Sequence, residues 1–225
     1  MKIGIIGAGN IGGELVRKFR KLGHVVRVSN SRGPESLNDI AAETGAIAST
    51  TEEVIGDSDL TIISVIQKAI PSLREAISKA PSDVIVLDTG NHYRFRDGDV
   101  PEIDDDGQTH TEWASSVLGR PLLKAFNNIV ADSLVNKAYP AGHPDRFALP
   151  VAGDNAEHKK VVIDLINSIG FDGIDAGPAS ESWRQQPGSL VYCTDHHIAT
   201  LRKLLQNTVR EEQSIRSELV MSRLI

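Results

Sequence analysis

Gly7-Ala8-Gly9-Asn10-Ile11-Gly12 carries the G-x-G-x-x-G spacing, a pattern whose backbone N–H groups can converge on an anion. Alone it is a weak signal. Its setting strengthens it, because an apolar run at residues 3–6 precedes it and Ile11, Leu15, Phe19 and Leu22 then recur at helical spacing until Gly23. In a strand–turn–helix of this kind Gly7 makes the tight turn, Gly9 lets a pyrophosphate approach the backbone, and Gly12 allows close helix packing. Ala8, Asn10 and Ile11 complete the turn.

The second place where chemistry can be read is "VSNSRGPES", which follows the β-rich run at residues 25–28. A carboxylate at this position would accept hydrogen bonds from the free ribose hydroxyls of NAD and repel the extra phosphate of NADP. The sequence has none there; it offers Asn30, Ser31 and Arg32. The guanidinium fork suits a phosphate, Asn30 and Ser31 can donate hydrogen bonds, and a helix expected to start near Pro34 would aim its positive end at the same point. These residues predict NADP(H) rather than NAD(H).

Two such sites need a parallel sheet to hold them. Short β-rich runs alternate with helical patterns over most of the 225 residues, which predicts an α/β fold: a Rossmann-type doubly wound, mostly parallel sheet. Strands are expected at residues 3–6, 25–28, from 47, at 60–66 and 84–90, and in "LLKAFNNI", "FALPVAGD" and "GIDAGPA". After Pro178 the β signal stops and the chain from Val191 looks helical. The reading is therefore an NADP-binding domain over residues 1–178 and a helical extension over 179–225, acting as substrate cover, dimer contact or both. The polar segment 91–108 is long for a connection and is expected to be a functional loop. A second ligand belongs outside the carboxyl ends of the strands, which places Thr89, Gly90, Asn91, His92, Asn127 and Asn128 near the nicotinamide.

With the turn, "NSR", "KAFNNI", "LPVAGD" and "DAGP" in place, the chain over residues 1–182 resembles the NADP oxidoreductase family dependent on the deazaflavin coenzyme F420, and is also similar to the NADPH-binding reductase domain of the STEAP metalloreductases. The resemblance implies that Ser31 and Arg32 hold the NADP phosphate and that Gly9, Asn10 and Ile11 wrap the pyrophosphate. It also implies that Val65 and Ile66 flank the adenosine side. The implied reaction is hydride transfer between NADPH and a flat redox partner, coenzyme F420 or a flavin. Such chemistry asks mainly that two rings be positioned and water excluded. Asn127 is the leading candidate to bond the carboxamide or the partner ring, with His92 beside it.

Two alternatives stay open: reduction of a small imine or carbonyl, with Lys124, His92 or Tyr192 as proton donor, and a non-enzymatic NADP(H)-binding redox sensor. Arg184, Gln185, Gln186 and Tyr192 suit either a substrate or a dimer contact, and a homodimer is expected. The net charge of −6 argues against nucleic acid as partner. A single cysteine, Cys193, fits a reducing compartment, so the cytoplasm is expected, and no apolar run is long enough for a bilayer. No metal is expected: Cys193, His196 and His197 lack a fourth ligand, and His196 and His197 would diverge on a helix. Asp104, Asp105 and Asp106 lack the spacing of a calcium loop and read as solvated. Ser115 and Ser116 lack a nucleophile-elbow pattern.

Overall fold

The computed structural model describes residues 1–210. Among the described residues the strands are β1 (Lys2–Ile6), β2 (Val25–Ser29), β3 (Ile47–Ala48), β4 (Leu60–Ile63), β5 (Ile85–Asp88), β6 (Leu123–Lys124), β7 (Ala148–Val151) and β8 (Asp172–Asp175). The first six form one parallel sheet in the order β3-β2-β1-β4-β5-β6. The order reverses at β1, so the crevice of a doubly wound sheet opens at the glycine turn that follows it. β7 and β8 make a separate parallel pair, joined to the main sheet by one antiparallel bridge between Lys124 and Ala152.

Helices α1 (Asn10–Lys21), α2 (Asn38–Thr44), α3 (Thr51–Gly56), α4 (Arg74–Ser78), α5 (Arg94–Asp97), α6 (Pro101–Asp104), α7 (His110–Leu118), α8 (Ala131–Asn136), α9 (Ala156–Ser168) and α10 (Ile198–Asn207) connect or cover the strands. Both faces of the main sheet are buried, as parallel sheets require. On one face Ile3 and Ile5 meet Leu15 and Phe19 of α1; on the other Ile6, Ile63 and Val86 meet Val54, Ile77 and Trp113. Phe19 is completely buried, and a side chain of that size contributes about 1.5–3 kcal/mol by leaving water. The apolar stripe of α1 ends there: Leu22 follows the last helical residue and is exposed.

The chain after Pro178 packs back on this body. A 3-10 turn (Ala179–Gln185) leads into a non-helical stretch, and α10 begins at Ile198 rather than at Val191. Val191, Leu201 and Leu205 pack with Ala148 and Ile174 of the β7–β8 pair. Expectations for residues 211–225 lie outside the described residues. Among the described residues no helix is long and apolar enough to cross a membrane.

Candidate functional site

The turn after β1 is built for close approach. Gly7 has φ +103, and a Cβ there would lie 2.2 Å from the Ser64 carbonyl oxygen; a Cβ on Gly12 would lie 2.0 Å from the Gly7 carbonyl oxygen. Only glycine fits either position without moving backbone. A Cβ on Gly9 would meet nothing within 4 Å, so the turn is open toward solvent at the position the sequence assigns to the pyrophosphate. The Gly7 N–H donates to the Ser29 carbonyl at 2.7 Å, which ties the exit of β1 to that of β2. Helix α1 has no acidic residue in its first turn and Lys18, Arg20 and Lys21 in its last. Its dipole is satisfied at one end and available to an anion at the other.

At the exit of β2, Ser31 and Arg32 are exposed. Among the described residues no group partners the Arg32 guanidinium; only its backbone N–H is bonded, to Asn30 Oδ1 at 2.8 Å. The Asn30 side chain is engaged within its own loop. Its Nδ2 donates to Ser36 Oγ at 2.9 Å, and the Ser36 hydroxyl donates to the Gly33 carbonyl at 2.8 Å. The Asn30 side chain therefore fixes the loop from inside, as turn asparagines do. The helix expected near Pro34 is a 3-10 turn (Pro34–Leu37), and α2 starts only at Asn38. An open cleft of about 500 Å³ adjoins Gly9 and Arg32. Arg17 and Glu43 face it, paired at 2.6 and 2.7 Å, and so does α8, which the sequence pattern does not announce. Arg17 was visible in advance, being two helical turns beyond Asn10 on the same face; α8 is a six-residue helix with no clear periodicity.

Across the sheet, Val65 is half-buried and Ile66 is exposed at the exit of β4, on the crevice side of the glycine turn. Beyond them the polar residues are buried in one network. Asn127 Nδ2 donates to Asn91 Oδ1 at 3.0 Å and to the Gln185 carbonyl at 2.7 Å, while Asn127 Oδ1 accepts from Gln185 Nε2 at 2.8 Å. Asn91 Nδ2 donates to the Asn127 carbonyl at 2.7 Å. The Cys193 N–H donates to the Asn128 carbonyl at 2.8 Å. Asn127 and Asn91 thus join β5, β6 and the C-terminal segment, with their amides already engaged. Thr89 is buried, its N–H donating to the Ile63 carbonyl at 3.0 Å.

His92 is buried as well, with Nε2 3.2 Å from Asp104 Oδ1 and its backbone N–H donating to His110 Nδ1 at 3.0 Å. Asp104 is accordingly turned inward, also accepting from the Val100 N–H at 2.8 Å, instead of being wholly solvated. The long segment 91–108 is ordered by such bonds into α5 and α6. Burial holds His110 well below the usual histidine range, with Lys124, His92 and Arg96 acting in the same direction. Lys124 is wholly buried against Asp88, at 2.6 Å; burial lowers its pKa and the carboxylate opposes the shift. The Tyr93 and Tyr192 hydroxyls are hydrogen-bonded to each other, and burial raises the pKa of both. His196 and His197 precede α10 instead of lying on a helix, and His197 Nδ1 is 2.8 Å from the Arg146 carbonyl. Among the described residues no group of three or more His, Cys, Asp or Glu is disposed to hold a metal ion.

Fold and turn together define a doubly wound α/β protein with a dinucleotide-type crevice. Residues 2–92 match the family model described as NADP oxidoreductase, coenzyme F420-dependent. The match spans β1 to the exit of β5, so "KAFNNI", "LPVAGD" and "DAGP" lie beyond it. The Escherichia coli (strain K12) protein YjhV is 35% identical over 91 residues, 40% of this chain and 59% of that protein; the chain thus spans less than two thirds of that relative's length. Among solved structures, protein SMa0349 of Sinorhizobium meliloti superposes with a TM-score of 0.73 at 27% identity, covering 87% of this chain and 94% of the other. A protein of Arthrobacter sp. FB24, provisionally described as an F420-dependent NADP reductase, superposes with a TM-score of 0.65 at 23% identity, over 81% of this chain and 87% of its own; at that identity the likeness is one of fold.

Proposed function

We propose that the protein binds NADP(H) and transfers hydride between the nicotinamide and a second flat redox ring, a deazaflavin of the coenzyme F420 type or a flavin. The observation that carries this reading is the Arg32 guanidinium, without a partner among the described residues, at a β2 exit without a carboxylate and beside a glycine turn open at Gly9. Ser31 and Arg32 would hold the 2′-phosphate, and the Gly9, Asn10 and Ile11 backbone the pyrophosphate. Asn30 acts one step back, by shaping the loop that carries Arg32. When bound, NADP(H) supplies the hydride.

What the chain contributes beyond binding is a rigid, dry wall at the exits of β5 and β6. Of the proton donors that an imine or carbonyl reductase would use, Lys124 and Tyr192 are engaged internally and His92 is held through Nε2 by Asp104, with no hydrogen-bond partner for its buried Nδ1 among the described residues. That favours a redox ring as the partner, since positioning and water exclusion are then the main demands on the protein. The family matching residues 2–92 supports the deazaflavin in particular. Mixing the protein and NADPH with deazaflavin, FMN and a panel of small imines and carbonyls, while following nicotinamide absorbance, tests the reading. Oxidation with deazaflavin or FMN is expected. Turnover only with imines or carbonyls overturns the assigned partner, and binding with no turnover anywhere points to a sensor.

A further inference from the structure

Asp88 ends β5, Lys124 ends β6, and the two are paired in register. Neither side chain is exposed at all. Lys124 Nζ donates to Asp88 Oδ2 at 2.6 Å and to the Gly90 carbonyl, while Asp88 Oδ1 accepts from the Gly90 N–H at 2.8 Å. One ion pair therefore grips both polar groups of Gly90. The residue is also wedged from the side: a Cβ there would come within 3.1 Å of the Val65 carbonyl and 3.3 Å of Gln67 Oε1, both at the exit of β4.

Stability alone is a poor reason for this arrangement. Two buried charges lose their hydration, and an apolar pair of similar volume commonly holds a core as well or better. What an apolar pair cannot do is fix the direction of a backbone N–H and a carbonyl. The location gives that direction a use. A dinucleotide lies across the switch point of a doubly wound sheet; with the glycine turn after β1 and Arg32 on the β2 side, its other half falls at the exits of β4 and β5.

We propose that Asp88 and Lys124 are positioning residues that act through Gly90 to fix the strand exit receiving the nicotinamide half of NADP(H). The inference rests on the NADP(H) reading above. Its test compares NADPH with 2′-phospho-ADP-ribose, which has the phosphate end and lacks the nicotinamide. Affinities for both are measured by calorimetry on the full chain, on Asp88→Leu/Lys124→Met and on Asp88→Asn/Lys124→Met, with thermal unfolding as the check on folding. The first variant should weaken NADPH about tenfold and 2′-phospho-ADP-ribose by no more than about twofold, as expected for hydrogen bonds lost at one end of the ligand. The second keeps an acceptor for the Gly90 N–H and should fall between.

A merely structural role would weaken both ligands alike. Equal losses, or unchanged NADPH affinity in a folded variant, overturn the proposal while leaving NADP(H) binding in place. Should Asp88→Leu/Lys124→Met fail to fold, the same comparison on Asp88→Asn/Lys124→Met decides. Failure of the unaltered protein to bind either ligand overturns the NADP(H) reading itself, and this inference with it.

Discussion

At the exit of β2, Ser31 and Arg32 are exposed and the Arg32 guanidinium has no partner among the described residues; at the exits of β5 and β6, Asp88, Asn91, Lys124 and Asn127 are buried and bonded to one another or to nearby backbone. The first region keeps hydrogen-bonding capacity unused until a ligand arrives. The second has spent most of it internally, while Gln185 Oε1, Asn128 Oδ1 and His92 Nδ1 are buried with no hydrogen-bond partner among the described residues. With Asp88, Lys124, Asn91 and Asn127 engaged, the closed side shapes a ligand's surroundings mainly through backbone and packing, whereas the open side can bind charge with side chains. In the proposed NADP(H) reading, recognition falls to the first region and positioning to the second.

The hardest break in that division is at the turn both halves share. Gly12→Ala puts a Cβ within 2.0 Å of the Gly7 carbonyl oxygen, and moving backbone to relieve it should cost about 3 kcal/mol, read by urea unfolding, with loss of NADPH protection. Next comes the open side alone: Arg32→Ala should weaken NADPH by about ten- to a hundredfold and leave NADH nearly unchanged, as expected for one or two charge-assisted bonds. Equal losses for the two cofactors in a titration would sink the phosphate pocket.

The closed side should reveal itself in pH dependence. His110 is held neutral well below its ordinary value by burial, next to Lys124, His92 and Arg96. As pH falls below about 6.5, the unfolded chain takes up a proton that the folded chain does not, so stability falls by up to about 1.4 kcal/mol per pH unit. Unfolding measured between about pH 7 and about pH 5 should show this slope, and His110→Gln should reduce it. The smallest effect is expected at Asn30, which the proposed reading lets act on the ligand only through the loop. Asn30→Ala should weaken NADPH about fivefold, the equivalent of about one hydrogen bond, with NADH again little changed. A loss as large as that of Arg32→Ala would mean that Asn30 contacts the phosphate directly.

Where the sequence was legible, the interactions were local. Gly7, Gly9 and Gly12 declare a turn because their spacing sits between an apolar run and a helical stripe, and Arg32 follows the next strand by three residues. The strands of the main sheet were read for the same reason, as buried runs bounded by turn residues. What was not legible has physical causes. At Asn30, composition does not tell that the side chain also bonds its own loop. The segment from Val191 has helical composition, yet its N–H groups are drawn elsewhere: the Cys193 N–H reaches the Asn128 carbonyl, and Cys193 itself takes φ +55.

The sequence by itself determined the doubly wound class, the glycine turn, and a β2 exit without a carboxylate but with an arginine, since each is written within a few residues and follows from sterics and charge. Only the tertiary structure decided that the side chains of His92, Lys124 and Asn127 are buried and bonded within the protein. Their partners are Asp104, Asp88, Gly90, Asn91 and Gln185, 12 to 58 residues away. Bonds across such separations form only when β5, β6 and the C-terminal segment are brought together, and nothing in the local pattern of any one of them announces the other two.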